Sequence, residues 1–247
     1  MTLPKLDIVY HEMNIISKKE PIKFRPFLVR EEKILLMALE SGDENEMVKA
    51  TKQILNNCIL NDDIDIEKLP LFDMQYMFLQ LRSKSVGEIS ELKVKHPNGK
   101  NSLGEECNHL TDLKIDLTKI KPVINKNHTP KIQLNDSIGV SMKYPTLEIL
   151  RKMENIDENN KSSVESIFDI MSDCVDFIYD KDEIYYSNEH SREELIEFIS
   201  SLSTQQFNKI REFFNTMPAM VHDETYICSK CGQKETLTFY GVESFFS

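Results

Sequence analysis

The clearest pattern of hydrophobic and polar positions lies near the N-terminus, where an extended stretch passes into a helical one. Lys23-Phe24-Arg25 is extended, and Pro26 ends it because proline lacks a backbone donor and disfavours helical angles in the residue before it. From Val29 the apolar spacing becomes helical, and Gly42 is a typical stop signal. Because apolar residues cover more than one stripe, the pattern predicts a largely buried helix over about 29–40.

Around this helix, the first third of the chain predicts a hairpin and two more helices. Short strands are expected over about 5–16 and 22–25. Asp43 can cap a second helix that ends before Asn61, because its side chain can accept from a free amide of the first turn. A third helix is predicted over about 71–85, and it is apolar nearly all round, which indicates core packing.

In the second part of the chain, apolar residues first alternate with polar ones, as in strands, and then return to helical spacing. Four alternating runs separated by turn residues predict a small antiparallel sheet: Ile89–Val94, Leu113–Leu117, Lys131–Leu134 and Ile138–Met142. A short helix over about 147–153 and an amphipathic helix over about 164–178 follow. Capping boxes at Ser191 and Ser203 predict a helical hairpin, and short strands on either side of Cys228-Ser229-Lys230-Cys231-Gly232 predict a final β-hairpin.

Together these elements predict an α+β fold that is mostly helical. It has an N-terminal hairpin, a small central antiparallel sheet and a C-terminal Cys-x-x-Cys hairpin. We divide the chain into four regions that form one or two compact units: an N-terminal hairpin and helical region, a small β region, a second helical region, and the hairpin with its tail. Their bounds are 1–87, 88–143, 144–218 and 219–247.

Composition narrows the classes of function. The chain has 247 residues, and 41 acidic against 30 basic residues give a net charge of −11. This balance argues against nucleic acid and anionic membrane surfaces as ligands, since both are bound by clustered Lys and Arg. We expect no transmembrane helix, because no apolar run approaches ~18 residues, and the N-terminal residues do not resemble a signal peptide. Five cysteines, an odd number, favour reduced thiols in a cytoplasm over a disulfide scaffold.

The most specific local motif is Cys228-x-x-Cys231-Gly232. In a hairpin turn this spacing aims two sulfurs at one point, which is half of a tetrahedral zinc site. Cys107 and His109, two residues apart, would share one face of a strand and could complete the site; His222 is a second candidate. Two further interpretations stay open: a pair of structural thiols in a tight turn, and a redox pair, which lacks the helix that such pairs normally open.

No catalytic constellation is recognisable elsewhere. Seven glycines form no phosphate-cradling loop and no nucleophile elbow. Adjacent acidic residues such as Glu31-Glu32 are interpreted as solvated helix faces, because neighbouring positions on a helix do not face each other. We therefore expect a protein that is not an enzyme.

Four stretches, in order along the chain, resemble one group of proteins: KFRPFLVREEKILLMALESGDE, LPLFDMQYMFLQLRSKSVGE, IQLNDSIGVSMKYPT and YICSKCGQKETLTFYGVESFF. They are similar to the baseplate hub and hub assembly proteins of T-even-type contractile-tailed bacteriophages. They cover roughly a third of the chain, and they are fold signatures rather than catalytic ones. The resemblance implies a non-enzymatic protein that acts while the hub is assembled in the cytoplasm of the infected cell, with other baseplate hub proteins as its partners.

Three hypotheses follow. The first is a hub assembly factor that acts by protein–protein contact. The second, its close alternative, is a structural hub subunit that remains in the virion tail. For either, five aromatic residues are candidate contact anchors, although each can equally be a core residue: Phe24, Phe27, Tyr240, Phe245 and Phe246. The third hypothesis, of another class, is a small zinc-dependent binding module built on the cysteine pair.

Overall fold

The computed structural model describes residues 7–149 and 163–241, and these form two compact units. The first unit contains the described residues of Met1–Ile66, Phe72–Val123 and Ala219–Ser247. The second contains Glu67–Leu71 and the described residues of Ile124–Pro218. Stretches from both ends of the chain therefore build the first unit together.

The predicted α+β class is confirmed. The helices are α1 (Val29–Ser41), α2 (Glu44–Cys58), α3 (Leu71–Ser85), α4 (Ser163–Asp173), α5 (Arg192–Ser200) and α6 (Thr204–Thr216). The strands are β1 (His11–Met13), β2 (Ile22–Phe24), β3 (Ile89–Val94), β4 (Thr111–Asp116), β5 (Lys131–Gln133), β6 (Gly139–Met142), β7 (Val175–Tyr179), β8 (Ile184–Tyr186), β9 (Val221–Ile227) and β10 (Lys234–Tyr240). Residues 147–149 are helical, and the rest of the helix predicted there lies outside the described residues.

In the first unit, α3 is the central helix, as its apolar sequence predicts. Met77, Phe78 and Leu79 are fully buried. Its one buried acid, Asp73, accepts hydrogen bonds from the backbone amides of Ile16 and Ser17 at 2.9 and 2.8 Å. These bonds satisfy a carboxylate that would otherwise be costly to bury, and they fix the turn of the β1–β2 hairpin against the core.

The prediction that α1 is largely buried is wrong. Its buried side chains are Glu31, Leu35 and Ala38, which share one side of the helix. The opposite side faces solvent and carries large apolar residues, with Val29 79% and Leu36 54% exposed. The sequence pattern was misleading for a simple reason. Apolar residues on two sides of a helix show that two apolar surfaces exist, but they do not show that other segments of the same chain cover both.

Glu31, interpreted from the sequence as a solvated acid, is fully buried beside Arg25. The Arg25 Nη2 atom lies 3.0 Å from Glu31 Oε1, and Arg25 also donates to the backbone carbonyl of Asn57 at 2.9 Å. Glu31 Oε2 accepts from the Leu28 amide at 2.9 Å, which satisfies a free donor at the start of α1. Burial alone would raise the pKa of Glu31. The hydrogen bonds that Glu31 accepts, first of all from the Arg25 guanidinium, outweigh burial and lower this pKa to about 2.

The predicted central sheet is divided between the two units. Strands β3 and β4 pair antiparallel in the first unit, where β1–β2 and β9–β10 form two further two-stranded ladders. Strands β5 and β6 belong to a four-stranded antiparallel sheet of the second unit, in the order β5-β6-β7-β8.

The helix predicted over 164–178 is shorter than expected, and this too is a correction. It ends at Asp173, and Val175–Tyr179 forms β7 between β6 and β8. The segment is rich in β-branched and aromatic residues, and short apolar runs of this kind fit either period. Pairing on both sides decides in favour of the strand. The two consecutive helices α5 and α6 are present, and each begins with its predicted capping box, at Ser191 and Ser203.

Candidate metal centre

Two turns of the first unit converge on one point. The loop between β3 and β4 carries His96 near its start and Cys107 near its end. The turn between β9 and β10 carries Cys228 and Cys231. Each turn thus offers two side chains of the types that bind soft divalent metals.

The four ligand atoms form a compact group. All of them lie within 4.8 Å of one another. The sulfurs of Cys107 and Cys228 are 3.9 Å apart, and Cys231 Sγ lies 3.3 Å from His96 Nε2. His96, Cys107 and Cys228 are buried, Cys231 is half-buried, and all five cysteines of the chain are free thiols.

A carboxylate orients the histidine. His96 Nδ1 lies 3.1 Å from Glu235 Oε1, and the same oxygen accepts from the Ser102 amide at 2.7 Å. A proton on Nδ1 is therefore favoured, which leaves the lone pair of Nε2 directed at the sulfurs. This is the usual arrangement behind a metal-binding histidine, where the second nitrogen donates to a carboxylate.

The backbone of the Cys-x-x-Cys turn prepares a thiolate. Gly232 has a φ of 72°, in the left-handed region that glycine adopts without strain, and its amide donates to the Cys228 carbonyl at 2.9 Å. Hydrogen bonds from the amides of Cys231 and then Lys230 lower the pKa of Cys228 to about 5. The thiolate is the form that binds metals.

Sequence reasoning found three members of this group and missed the fourth. Cys107, Cys228 and Cys231 come together, but the histidine is His96 rather than His109 or His222. His109 Nε2 lies 2.8 Å from Ser229 Oγ, at the edge of the group, and His222 Nε2 lies 3.0 Å from Glu224 Oε2. The sequence did contain one indication of His96. It lies near the start of the loop that joins the two predicted strands, and Cys107 lies near the end of the same loop.

A family model describing T4 bacteriophage base plate proteins matches residues 8–247. The chain belongs to this family. The match spans nearly the whole chain and includes the four candidate ligands His96, Cys107, Cys228 and Cys231. No curated protein and no solved structure matched.

The five aromatic contact candidates of this base plate protein are placed very differently. Phe24 and Phe27 are core residues, 2% and 7% exposed, so their rings do not reach the surface. This corrects their expected role as exposed anchors: β2 and the start of α1 turn these rings inward. Tyr240, at the end of β10, is 69% exposed. Phe245 and Phe246 lie outside the described residues.

The second unit has a surface depression. Its lining includes Asp173, His190 and Arg192. Arg192 donates to Asp173 at 2.9 Å and lies 3.8 Å from Asp169, so its charge is engaged within the unit. In the described parts of the chain, no helix has the length and apolar character needed to cross a membrane.

Proposed function

We propose that this base plate family member is a hub assembly protein that acts through protein–protein contacts during tail baseplate morphogenesis. Family membership gives the setting, and the exposed apolar face of α1 is the observation that carries the contact mechanism. On this proposal the partners are other hub proteins of the same phage, and the work is done in the cytoplasm of the infected cell.

The exposed apolar residues of α1 share one side of the helix. Val29 and Leu36 are seven residues apart, two helical turns, and therefore lie on the same side. Met37 extends the surface around the helix and is 61% exposed. The neighbouring Leu28 and Val86 add further exposed apolar area, and both line a shallow depression at the start of the helix. Several large apolar side chains exposed on one side of a helix are typical of interaction sites.

Charged residues lie among these apolar positions. Glu32, Lys33 and Glu40 are exposed on the same side of α1. Interfaces generally combine an apolar centre with polar and charged groups at the edge, which give orientation more than affinity. The buried side of the same helix is held by the Arg25–Glu31 pair, so the face is presented on a rigid element.

A non-enzymatic role is part of this proposal. In the depression of the second unit, Arg192 is paired with acids of α4, and Ser172 Oγ donates to the backbone carbonyl of Asp169 at 2.8 Å. Neither side chain is arranged as a nucleophile with an adjacent base. The Arg192–Asp173 pair joins α5 to α4.

The test is recovery from infected cells. A tagged chain is captured during infection, and its companions are identified by mass spectrometry, while purified virions are assayed for the chain itself. An assembly factor is expected to co-purify with hub proteins and to be absent from virions. Stoichiometric recovery from mature tails would contradict the assembly role and indicate a structural hub subunit instead.

A further inference from the structure

We propose that His96, Cys107, Cys228 and Cys231 bind one zinc ion in a closed structural site that fastens the β9–β10 hairpin to the β3–β4 loop. This inference rests on the geometry of the first unit and does not depend on the proposed function. It assigns His96, rather than His109 or His222, as the nitrogen ligand.

The spacing of the ligand atoms fits a tetrahedral centre. With Zn–S bonds of about 2.3 Å and Zn–N bonds of about 2.0 Å, tetrahedral angles place two sulfurs about 3.8 Å apart and a sulfur and a nitrogen about 3.5 Å apart. The Cys107–Cys228 sulfurs are separated by 3.9 Å, and Cys231 Sγ and His96 Nε2 by 3.3 Å. Two independent ligand pairs therefore agree with a single centre between them.

The donor set selects the metal. Three thiolates and one imidazole are soft or borderline ligands, and in tetrahedral geometry this combination is typical of zinc rather than of magnesium or calcium, which prefer oxygen. One ligand pair comes from the short turn between β9 and β10, and the other comes from the longer loop between β3 and β4. Glu235 supplies the outer carboxylate that such a histidine normally has.

The site is closed, which points to a structural role. Four protein side chains fill a tetrahedral shell, so no coordination position is left for water or substrate. The two turns are also tied directly, since the Ser229 amide donates to Thr111 Oγ1 at 3.3 Å. Cys107 and Cys228 are 121 residues apart in sequence, so an ion between them crosslinks distant parts of the first unit. Such a crosslink stabilises a unit whose β ladders at this end have only two strands each.

Metal content of the purified full-length chain tests the proposal. Elemental mass spectrometry is expected to find one zinc per chain, and His96→Ala and Cys228→Ser are expected to lose it. His109→Ala is the matched control, because His109 lies beside the group without belonging to it, and Cys58→Ser controls for loss of a buried thiol elsewhere. Both controls are expected to keep one zinc.

A milder variant keeps the test informative if the ligand variants do not fold. Glu235→Gln leaves all four ligands in place and is expected to weaken zinc binding about 10- to 100-fold in a competition titration with a chromophoric chelator. In the wild-type chain, removing the metal is expected to make the β9–β10 hairpin more sensitive to limited proteolysis, with restoration on adding zinc. Purified protein without metal that also fails to bind added Zn²⁺ or Co²⁺ under reducing conditions would overturn the proposal. Loss of zinc in His109→Ala with retention in His96→Ala would overturn the ligand assignment.

Discussion

Removing the negative charge of Glu31 leaves the Arg25 guanidinium buried without its charge partner. Both side chains are enclosed, and the pair joins the end of β2 to the first turn of α1. Glu31→Gln is the cleanest perturbation, because glutamine has nearly the same shape and its oxygen can still accept from the Leu28 amide. The substitution therefore tests the ion pair and its hydrogen bonds to Glu31 Oε1 rather than the packing or the helix cap.

The expected loss of stability is large. Breaking a buried ion pair from one side typically costs ~3–5 kcal/mol, because the remaining charge is not compensated. Arg25 keeps its hydrogen bonds to the Pro26 and Asn57 carbonyls at 3.0 and 2.9 Å, which partly compensates the guanidinium. We therefore expect Glu31→Gln to cost about 3 kcal/mol, at the lower end of this range.

Urea unfolding at neutral pH, followed by circular dichroism because the chain has no tryptophan, measures this loss. Arg25→Met and the double variant complete a cycle, and the double variant is expected to cost about 2 kcal/mol less than the sum of the single ones. Glu32→Gln, exposed on the next position of α1, is the matched control and should change stability by less than about 0.5 kcal/mol. A Glu31→Gln effect no larger than that of Glu32→Gln, or simple additivity in the cycle, would refute the reasoning.

Three other predictions concern the same chain. The pKa of Glu31 is lowered from 4.5 to about 2, so the ionised side chain should stabilise the fold above about pH 5 and lose this effect as the pH falls toward 2. The difference in unfolding free energy between wild type and Glu31→Gln should therefore shrink in acid. A difference that stays constant with pH would contradict this. In Gly139→Ala the new Cβ would clash with the outer end of the half-buried Tyr179 ring, so we expect a loss of about 1 kcal/mol in thermal unfolding that shortening Tyr179 to Ser partly recovers. Ser191→Ala should cost about 1 kcal/mol by removing the cap of α5, whereas Ser200→Ala at the other end of that helix should cost less, and equal effects would contradict the cap assignment.

Local signals were enough to predict most elements. Asp43 accepts from the Asn45 amide at 2.8 Å and caps α2, as its position before the helix indicates. Gly42 ends α1 with a φ of 65°, a conformation that glycine adopts freely. The boxes at Ser191 and Ser203 open their helices because every partner lies within three residues. These features depend on neighbours in sequence, so the sequence displays them directly.

The features that sequence reasoning missed depend on distant partners. β7 is a strand because β6 and β8 lie on either side of it, although its apolar spacing also fits a helix. Glu31 is buried because Arg25, on a different element, neutralises it. His96 meets a cysteine 135 residues away, and nothing in its immediate neighbourhood indicates this. The exposure of α1 was missed for the opposite reason, since no segment described in the structure covers that face.

The measurement that tests the central claim most directly is binding of the purified chain to purified hub proteins of the same phage, with the α1 face altered. The variant Leu36→Asp, Met37→Asp changes two exposed apolar residues, and Ile184→Asp, on the exposed strand β8 of the second unit, is the matched control. If these residues are central anchors, the α1 variant should bind at least about 30-fold more weakly, corresponding to about 2 kcal/mol, while the control binds as wild type. Unchanged affinity of a folded α1 variant for a hub protein that the wild type binds would contradict the account.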